Sequence, residues 1–585
     1  MQWLTLQLVF MNPIITFKNV SFQYRTKSTP TLKNINLSIN KREKVLIIGS
    51  SGSGKSTIAK CINGLIPSTD KGKLEGEVSV CGKNPTDEGI FGMSKHVGTV
   101  LQDTDGQFIG LTVAEDIAFA LENDNVPYEE MHQKVFEAAK TVDVENLLPS
   151  VPGALSGGQK QRVSLAGILV DDVDILLFDE PLANLDPAAG KRIISLIDEI
   201  NSNTDKTVVI IEHRLEDVLY KKIDRIIVVE NGEIAVDTTP NKLLSTNILI
   251  EKGIREPLYI AALKHAGCTL NAEDSLDSID TINLNPYKKE LNNWFTQIQT
   301  PEQKNENDIA LELKNISFSY NKAKNKTVED INFKIHKGEM VSIVGTNGAG
   351  KSTIASLICG FNVQDSGEIF LNGQEISKLS IKQRGEKIGF VMQNQNQMIC
   401  KSIISDEVGL GLAVRKVPKA EITERVNKAL KICGMYPYRN WPISAVSFGQ
   451  KKRVTIASIL VMNPEIIILD EPTAGQDFAH YTEIMEFLRQ LNCELGITII
   501  MITHDMHLML EYTDRAIVVS DGHIIADDKS SKILTDEEIT ERANLKKTSL
   551  YDLAVKCDCG NPSDFVDRFI YYERILRDSK KEKDA

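Results

Sequence analysis

The pattern of hydrophobic and polar positions along the chain occurs twice. The run Lys44–Ile48 has the apolar character of a buried strand, and from residue 58 to residue 62 the pattern becomes helical. Two later runs, residues 174–179 and 465–470, are apolar stretches that end in acidic residues. Short continuous apolar runs are typical of strands in a parallel sheet that is covered on both faces. The pattern therefore predicts an α/β fold.

Motifs that recur at a constant offset reveal an internal repeat. The segment GSSGSGKST, residues 49–57, returns 296 residues later as GTNGAGKST, and residues 20–24 return with the same offset. Residues 179–181 (Asp-Glu-Pro) and His213 return 291 residues later. Surface loops absorb such a difference in length easily. The sequence predicts two copies of one domain, residues 13–245 and 308–545.

The remaining chain is predicted to form an appendage and polar linker, residues 246–307, and a C-terminal appendage and tail, residues 546–585. The linker is rich in Asn, Asp, Glu and Lys. Leu258 and Tyr259 are echoed by Leu550 and Tyr551, so the appendage belongs to the repeat unit. Residues 580–585 are expected to be a frayed, solvated tail.

Composition excludes several classes of protein. Lys and Arg total 67 against 80 Asp and Glu, and the net charge of −13 opposes non-specific binding to nucleic acid. The apolar runs are far shorter than the roughly 20 residues of a membrane-spanning helix, so no spanning segment is predicted. Residues 1–11 are apolar but lack the features of a secretion signal, and Met11 is an alternative start.

The nine cysteines lack the spacing of a disulfide framework, which predicts a reduced, intracellular protein. Cys557 and Cys559 are close in sequence, but no second pair accompanies them. A metal site is therefore disfavoured there, and the two residues are expected in a surface turn.

The two glycine-rich segments carry the chemistry of phosphate binding. Each stands between a predicted strand and a predicted helix, where backbone N–H groups can point at phosphate oxygens. Lys55 and Lys351 are expected to reach the β- and γ-phosphates, and Ser56 and Ser352 to ligate Mg²⁺. A Gly-Ser-rich turn is the plain alternative, but two matches in register with other repeated motifs make chance negligible. The predicted binding residues are Gly49, Ser50, Ser51, Gly52, Ser53, Gly54, Lys55, Ser56, Thr57, Gly345, Thr346, Asn347, Gly348, Ala349, Gly350, Lys351, Ser352 and Thr353.

Carboxylates follow the apolar runs at the carboxyl ends of predicted strands, where sites form in α/β proteins. Asp179 and Asp470 are expected to hold Mg²⁺ through its water shell, and Glu180 and Glu471 to polarise the attacking water. Alone, such a strand end is more often structural than catalytic. Its place downstream of a phosphate loop supports the catalytic interpretation.

Residues 155–159 read LSGGQ and are followed by KQRV, which resembles the signature of ATP-binding cassette (ABC) proteins. The resemblance implies tandem P-loop NTPase domains, each with a RecA-like α/β core, an antiparallel β subdomain and an α-helical signature subdomain. In that family the signature starts a helix and covers the γ-phosphate held by the opposite domain. Ser156 suits the N-cap, and glycine N–H groups at a helix start suit an anion. The signature residues implied to bind nucleotide are Ser156, Gly157, Gly158, Gln159, Ser447, Phe448, Gly449 and Gln450.

Further positions match the family one by one. Tyr24 and Tyr320 resemble the aromatic residue that stacks on adenine, although tyrosines like these are more often packing residues. Gln102 and Gln393 fit the glutamine loop, which links the metal and the attacking water to a transport partner. His213 and His504 resemble the switch histidine that contacts the γ-phosphate, and Asp186 and Asp477 fit the loop that joins the two domains.

The second signature departs from the family pattern because Phe448 replaces a glycine. In head-to-tail pairing the Lys55 loop faces this altered signature, and the Lys351 loop faces the regular one. If the glycine's backbone dihedrals are unavailable to Phe, the strain is about 1 kcal/mol or more. Since Glu180 and Glu471 are both present, both sites are predicted to hydrolyse ATP, the Lys55 site more slowly.

Several longer phrases are similar to the fused ATPases of energy-coupling factor (ECF) importers. These systems import vitamins, vitamin precursors or transition-metal ions through a transmembrane coupling subunit and a substrate-binding membrane subunit. The resemblance implies an ATP- and Mg²⁺-dependent subunit, peripheral at the cytoplasmic face of the membrane. Met398 stands where the first copy has Gln107, which leaves docking by the second half less certain. The phrases are residues 97–107, 112–119, 212–218, 255–259 and 447–454.

The alternative is a soluble double-cassette ATPase that acts on the ribosome or on nucleic acid, like the ABC-F factors. Such a factor is expected to carry a long, charged helical linker and basic surfaces. Here the linker contains Pro257, Pro286 and Pro301, and the net charge is negative. The importer subunit is the favoured interpretation, and no nucleic-acid partner is expected.

Overall fold

The computed structural model describes residues 13–102, 105–183, 185–300, 308–320, 326–473 and 476–584. The alternative start at Met11 lies outside these ranges. Contacts divide the chain into two compact units. The first contains the residues up to Leu291 together with Asp477–Ala479, and the second contains residues 292–476 and 480 onward.

The strands of the first unit form two sheets. A small antiparallel sheet has the order β2-β1-β4, and a six-stranded sheet has the order β5-β6-β7-β3-β8-β9, parallel except for β9. The strands are β1 (Pro13–Tyr24), β2 (Leu32–Asn40), β3 (Lys44–Ile48), β4 (Gly72–Val80), β5 (Val97–Val100), β6 (Ile175–Asp179), β7 (Thr207–Ile211), β8 (Arg225–Glu230) and β9 (Glu233–Thr238).

The helices of the first unit cover the large sheet, and α4, α5 and α6 pack on one another as a helical subdomain. Thr112 and Glu115 form a capping box that starts α4. The helices are α1 (Lys55–Ile62), α2 (Leu65–Ser68), α3 (Pro85–Ser94), α4 (Val113–Asn123), α5 (Tyr128–Thr141), α6 (Gly157–Leu169), α7 (Pro187–Asn203), α8 (Leu215–Val218), α9 (Pro240–Leu244), α10 (Ile248–Glu251), α11 (Leu258–His265) and α12 (Lys288–Gln297), which crosses the unit boundary.

The main core of the first unit lies between the antiparallel sheet, α1 and one face of the parallel sheet. Phe17 and Phe22 from β1, Ile58 and Ile62 from α1, and Leu177 from β6 are all buried in it. Strands β3 and β7 are buried along their whole length, and each is apolar after its first residue, as predicted for β3. This core fixes the strand ends from which the candidate site is built.

The second unit repeats the arrangement. Its antiparallel sheet has the order β11-β10-β13-β14, and its six-stranded sheet has the order β15-β16-β17-β12-β18-β19. The strands are β10 (Ile309–Phe318), β11 (Val328–His336), β12 (Met340–Gly345), β13 (Ser366–Leu371), β14 (Gln374–Glu375), β15 (Ile388–Val391), β16 (Ile466–Asp470), β17 (Thr498–Ile502), β18 (Arg515–Ser520) and β19 (His523–Lys529).

Helices α15, α16 and α17 form the helical subdomain of the second unit, and α22 packs on α23 near the C-terminus. The helices are α13 (Lys351–Cys359), α14 (Ile381–Arg384), α15 (Ile404–Val414), α16 (Lys419–Ile432), α17 (Phe448–Leu460), α18 (Phe478–Leu495), α19 (Met506–Tyr512), α20 (Ser530–Ile533), α21 (Glu537–Arg542), α22 (Ser549–Cys557) and α23 (Pro562–Asp584). The repeated α/β architecture confirms the predicted fold class.

Two local predictions at the C-terminus are wrong. Cys557 and Cys559 are buried rather than in a surface turn, because α22 ends against α23 at this point. The predicted frayed tail is helical, since α23 continues through residue 584. Its Lys and Glu residues have high helix propensity, which extends the helix past the last apolar positions.

Within the described ranges, no helix combines the length and the apolar character needed to cross a bilayer.

Candidate functional site

The glycine-rich loop of the first unit joins the carboxyl end of β3 to the first turn of α1. Gly49 and Gly54 have φ values of 154° and 113°, in the region that favours glycine. A Cβ atom on Gly49 would lie 2.2 Å from the Val229 carbonyl oxygen. The backbone therefore curls tightly here, and the loop ends at the N–H groups of a helix start, which attract anions.

Lys55 is the first residue of α1, and its side chain folds back over the loop. Its Nζ donates to the carbonyl oxygens of Gly49 and Ser50, each at 2.9 Å, and the residue is buried. Burial lowers the pKa of Lys55, and the nearby Glu180 carboxylate opposes this effect. The Ser53 hydroxyl is buried without a hydrogen-bond partner. A buried cation beside an unsatisfied hydroxyl fits a polyanionic ligand such as a nucleotide phosphate.

Ser56 and Asp179 meet where α1 starts and β6 ends. Ser56 Oγ donates to Asp179 Oδ1 at 3.3 Å. Burial is the main cause that raises the pKa of Asp179, and the Glu180 charge adds to it. A hydroxyl and a carboxylate are the hard oxygen ligands that Mg²⁺ prefers. The pair therefore fits the predicted magnesium position.

The Glu180 carboxylate of the first unit is held by two side chains. His213 Nε2 lies 2.7 Å from Glu180 Oε1, and Gln102 Nε2 donates to Oε2 at 2.6 Å. Glu180 has a left-handed backbone with φ of 52°, an uncommon conformation outside glycine. The structure thus brings two predicted residues, Gln102 and His213, to the carboxylate of a third, Glu180.

Two supporting residues were not predicted. Glu212 is buried, and its carboxylate accepts from the N–H groups of Leu182 and His213 at 3.1 and 2.8 Å. It therefore ties the segment just after Glu180 to the backbone of His213. Gln107 was predicted only as part of a segment similar to ECF importer ATPases. Its side-chain oxygen accepts from Leu101 N–H at 3.2 Å and positions the glutamine loop. The acidic residue directly before His213 was the available signal for Glu212.

The loop of the second unit has the same geometry. Lys351 Nζ donates to the carbonyl oxygens of Gly345 and Thr346, each at 2.8 Å, and Ser352 Oγ lies 3.4 Å from Asp470 Oδ2. Burial raises the pKa of Asp470 to about 6, and the Glu471 charge contributes. Both predicted phosphate loops and both predicted magnesium positions are therefore built in the same way.

Around Glu471 the second unit differs in detail from the first. His504 contacts Glu471 Oε1 through Nδ1 at 2.7 Å, whereas His213 uses Nε2. The fully buried Lys452 donates to the Pro472 carbonyl oxygen, and burial lowers its pKa to about 8 while Glu471 opposes the shift. Gln161 stands at the equivalent position of the first unit. Nothing in the sequence marked Lys452 as buried, because lysine is ordinarily a surface residue.

The two predicted adenine-stacking tyrosines lie beside the phosphate loops. Tyr24 OH is 3.3 Å from Thr57 Oγ1, and Tyr320 OH is 3.5 Å from Thr353 Oγ1. The Gln393 side chain is exposed in the loop after β15. In that loop the backbone N–H of Met392 lies 3.2 Å from the sulfur of Met398. The Met398 sulfur thus takes the place that the Gln107 side-chain amide has in the first unit.

Both signatures start helices through complete capping boxes. Ser156 and Gln159 cap α6, and Ser447 and Gln450 cap α17. Phe448 and Gly157 each occupy the first helical position, and neither has a positive φ. The condition for backbone strain at Phe448 is therefore not met. What distinguishes the second signature is a half-exposed aromatic side chain at its helix start.

The remaining predicted residues stand at helix starts as well. Asp186 caps α7 by accepting from Ala189 N–H at 2.8 Å, and the buried Asp477 directly precedes α18. Gly158 and Gly449 lie in the first turns of their signature helices. All the predicted site residues thus fall at loop, strand-end or helix-start positions.

A strand, a glycine-rich loop and a helix with a buried lysine, followed by carboxylates at the end of a strand two positions away in the same sheet, define a P-loop nucleotide-binding protein. The capped signature helix in each unit narrows this class to the ABC ATPases. A family profile described as "ABC transporter" matches residues 32–183 and 328–474, and one described as "ATP-binding cassette cobalt transporter" matches residues 246–318.

Relatives match over almost the whole chain. An ABC transporter ATP-binding protein of Clostridium perfringens is 59% identical over 564 residues, 96% of this chain and 99% of the relative. One of Enterococcus faecalis is 56% identical over 565 residues, 97% of this chain and 99% of that protein. This chain belongs to the ABC transporter family of ATP-binding proteins, with two cassettes in one polypeptide.

Among solved structures, cbiO1 of Clostridium perfringens, described as part of the ABC transporter complex cbiONQ, is similar to part of the chain. It is 36% identical, covers 40% of this chain and 95% of its own, and has a TM-score of 0.37. The predicted resemblance to an ABC ATPase with two nucleotide-binding domains is confirmed by the family matches.

Proposed function

We propose that this chain is the ATP-hydrolysing, energy-coupling subunit of an ECF-type importer for a vitamin, a vitamin precursor or a metal ion. It drives transport through a separate transmembrane coupling subunit and a substrate-binding membrane subunit, at the cytoplasmic face of the membrane. The observation that carries the proposal is the Gln102–Glu180–His213 arrangement. It links the residue that activates water to the loop expected to contact a transport partner.

The first step is nucleotide binding in each cassette. Lys55 and Lys351 would exchange their loop carbonyl contacts for phosphate oxygens, and Tyr24 and Tyr320, which contact the threonines that end the loops, would stack on adenine. Ser56 with Asp179, and Ser352 with Asp470, would hold Mg²⁺, which neutralises phosphate charge when bound.

The second step is the activation of water. In the first cassette each Glu180 oxygen accepts one hydrogen bond, and each keeps a second lone pair that can accept a proton from water. Gln102 reaches Glu180 from the end of β5, and His213 reaches it from the end of β7, where Glu212 accepts from the His213 backbone N–H. Movement of the glutamine loop would change the Gln102 contact to Glu180, which would give the loop an influence on hydrolysis.

We further propose that the cassettes pair head to tail, each signature completing the site of the other. Ser156 would then face Lys351, Ser447 would face Lys55, and Asp186 and Asp477 would join the halves. Two complete sets of motifs in one chain support this pairing. ATP held between the halves closes them, and hydrolysis lets them open.

Four exposed apolar residues beside and after Gln102 are a candidate docking surface for the membrane subunit. Leu101, Ile109, Leu111 and Phe119 expose 39%, 65%, 79% and 40% of their surfaces, which is unusual for large apolar residues so close in sequence. The family match described as a cobalt transporter supports a transport role. The described part of the inter-cassette segment contains helices of at most ten residues, unlike the long helical linker of the soluble alternative.

The proposal is tested by purifying the chain from detergent-solubilised membranes and identifying the integral membrane proteins that accompany it. The double variant Ile109→Asp/Leu111→Asp should lose these partners but keep basal ATPase activity. Val363→Asp, at an equally exposed apolar site of the second unit, should keep both. Copurification with ribosomes, or unchanged recovery of membrane partners by the double variant, would contradict the proposal.

A further inference from the structure

Three metal-ligating side chains meet in the first unit, away from the nucleotide site. Cys81 follows β4, His96 precedes β5, and Asp174 precedes β6. Cys81 Sγ lies 3.9 Å and His96 Nδ1 lies 3.3 Å from Asp174 Oδ2. The three donor atoms all lie within 4.8 Å of one another. Three different elements thus direct a thiol, an imidazole and a carboxylate at one point.

These separations suit a tetrahedral metal ion. Zinc bonds of about 2.3 Å to sulfur and about 2.0–2.2 Å to nitrogen or oxygen place tetrahedral donor atoms roughly 3.3–3.7 Å apart. The observed triangle reaches that geometry through side-chain shifts on the order of 1 Å or less. The side chains of His96 and Asp174 are 24% and 47% exposed, so one face of the triangle is open to water.

We propose that Cys81, His96 and Asp174 form a binding site for a divalent transition-metal ion, foremost Zn²⁺, with water as the fourth ligand. A thiolate, an imidazole and a carboxylate select such ions over Mg²⁺ and Ca²⁺, which prefer oxygen ligands alone. The thiolate and the carboxylate together supply two negative charges, which balance a divalent cation. None of these residues belongs to the nucleotide-binding machinery.

Binding replaces the thiol proton of Cys81 with the metal and releases that proton to water. Burial, helped by Asp174, raises the pKa of the Cys81 thiol to about 11, whereas Lys41 and Lys83 act in the opposite direction. Because the metal competes with a proton, its affinity increases with pH.

The second unit provides a natural comparison at the equivalent place. Asn372 follows β13, Lys387 precedes β15, and Glu465 precedes β16. Lys387 Nζ lies 3.4 Å from Glu465 Oε1, and the Asn372 amide donates to the other carboxylate oxygen. A fixed ammonium group occupies the position that the imidazole holds in the first unit. At equivalent positions, the second unit therefore has a lysine–glutamate ion pair, and the first unit has three side chains that can bind a metal ion.

A bound ion would connect the antiparallel sheet, through Cys81, to the amino ends of two parallel strands. Strands β5 and β6 lead from these ends toward Gln102 and Asp179. An ion that binds only the folded state stabilises that state. The gain in stability grows with the logarithm of the free ion concentration divided by the dissociation constant. The site therefore predicts a metal-dependent increase in the melting temperature of the first unit.

The test uses the full chain, reduced and free of nucleotide, and titrates it with Co²⁺. A thiolate ligand produces a sulfur-to-cobalt charge-transfer band in the near ultraviolet, which the all-oxygen magnesium positions cannot produce. We expect the band to saturate at one equivalent per chain, and Zn²⁺ to abolish it by displacement. Zn²⁺ should also raise the melting temperature of the wild-type chain.

The matched variants exchange the first unit's ligands for those of the second. Cys81→Asn keeps the left-handed backbone, because Asn372 has φ of 48° where Cys81 has 52°. Cys81→Asn and His96→Lys should each lose the band and the thermal shift while keeping basal ATPase activity. Cys400→Ala and Cys493→Ala, at exposed thiols, should keep the band.

A gain-of-site variant completes the test. In the Cys81→Asn background, Asn372→Cys, Lys387→His and Glu465→Asp together should restore one equivalent of cobalt binding. A wild-type chain with no charge-transfer band at saturating Co²⁺ would overturn the proposal. A band that survives Cys81→Asn would also overturn it, because the thiolate would then come from another cysteine.

Discussion

The buried carboxylate Asp470 offers the sharpest test of how the nucleotide site is built. Burial and the Glu471 charge raise the pKa of Asp470 from 3.8 to about 6. Since the folded-state pKa is higher than the unfolded-state value, folding favours the protonated form. Ionised Asp470 therefore destabilises the nucleotide-free protein. This penalty is absent below about pH 4 and is complete once the pH has risen through 6.

The change to test is Asp470→Asn, which keeps the shape of the side chain and an oxygen that can accept from Ser352. A shift of about two pKa units corresponds to about 3 kcal/mol at 1.36 kcal/mol per unit. Solvent at the partly accessible carboxylate reduces this to about 1–2 kcal/mol. For a unit of about 290 residues the variant should melt about 2–3 °C higher than the wild type at pH 7.5.

The assay is calorimetric melting without nucleotide at a series of pH values from 4 to 8. The stabilisation by Asp470→Asn should fade as the pH falls through 6 and vanish near pH 4, where both side chains are neutral. Asp179→Asn should behave in the same direction in the first unit, because burial raises the pKa of Asp179 too. With Mg²⁺ and ATP present the order should reverse, since the variant loses a magnesium ligand. A variant that melts no higher than the wild type at pH 7.5, or equally higher at pH 4, would refute this reasoning.

Two further predictions concern catalysis and the loop. Glu180→Gln and Glu471→Gln should each lower ATP turnover, by about 10²–10⁴-fold at the altered site. We expect Glu471→Gln to cause the larger loss in the overall rate, because the other site, at Lys55, faces Phe448 in the proposed pairing and is predicted to be slower. Steady-state hydrolysis by the single variants measures both losses. Identical losses would remove the case for unequal sites. Gly49→Ala should abolish binding of a fluorescent ATP analogue to the first unit, because its Cβ would lie 2.2 Å from a carbonyl oxygen. Gly153→Ala, whose Cβ would contact nothing, is the control and should bind normally; equal affinities would show that the loop does not need this conformation.

Much of the fold and of the site was predictable from the chain alone. The α/β class, the duplication and the phosphate loops follow from local patterns, because a buried strand, a glycine turn and a helix start each leave a signal within about ten residues. Whether Phe448 is strained could not be read from the chain, because strain depends on the backbone dihedrals of one position. The structure places that position in an ordinary helical turn.

What only the tertiary structure decided are the contacts between residues far apart in sequence. Strands β5 and β6 lie side by side although a whole helical subdomain separates them in the chain, and this adjacency brings Gln102 to Glu180 at one end. The same adjacency brings His96 to Asp174 at the other end, where no sequence spacing pointed to a site. The sequence by itself determined which chemical groups the protein carries and which strand or loop bears each of them. The order of strands in the sheet decided which of those groups meet, because hydrogen-bonded neighbours in a sheet need not be neighbours along the chain.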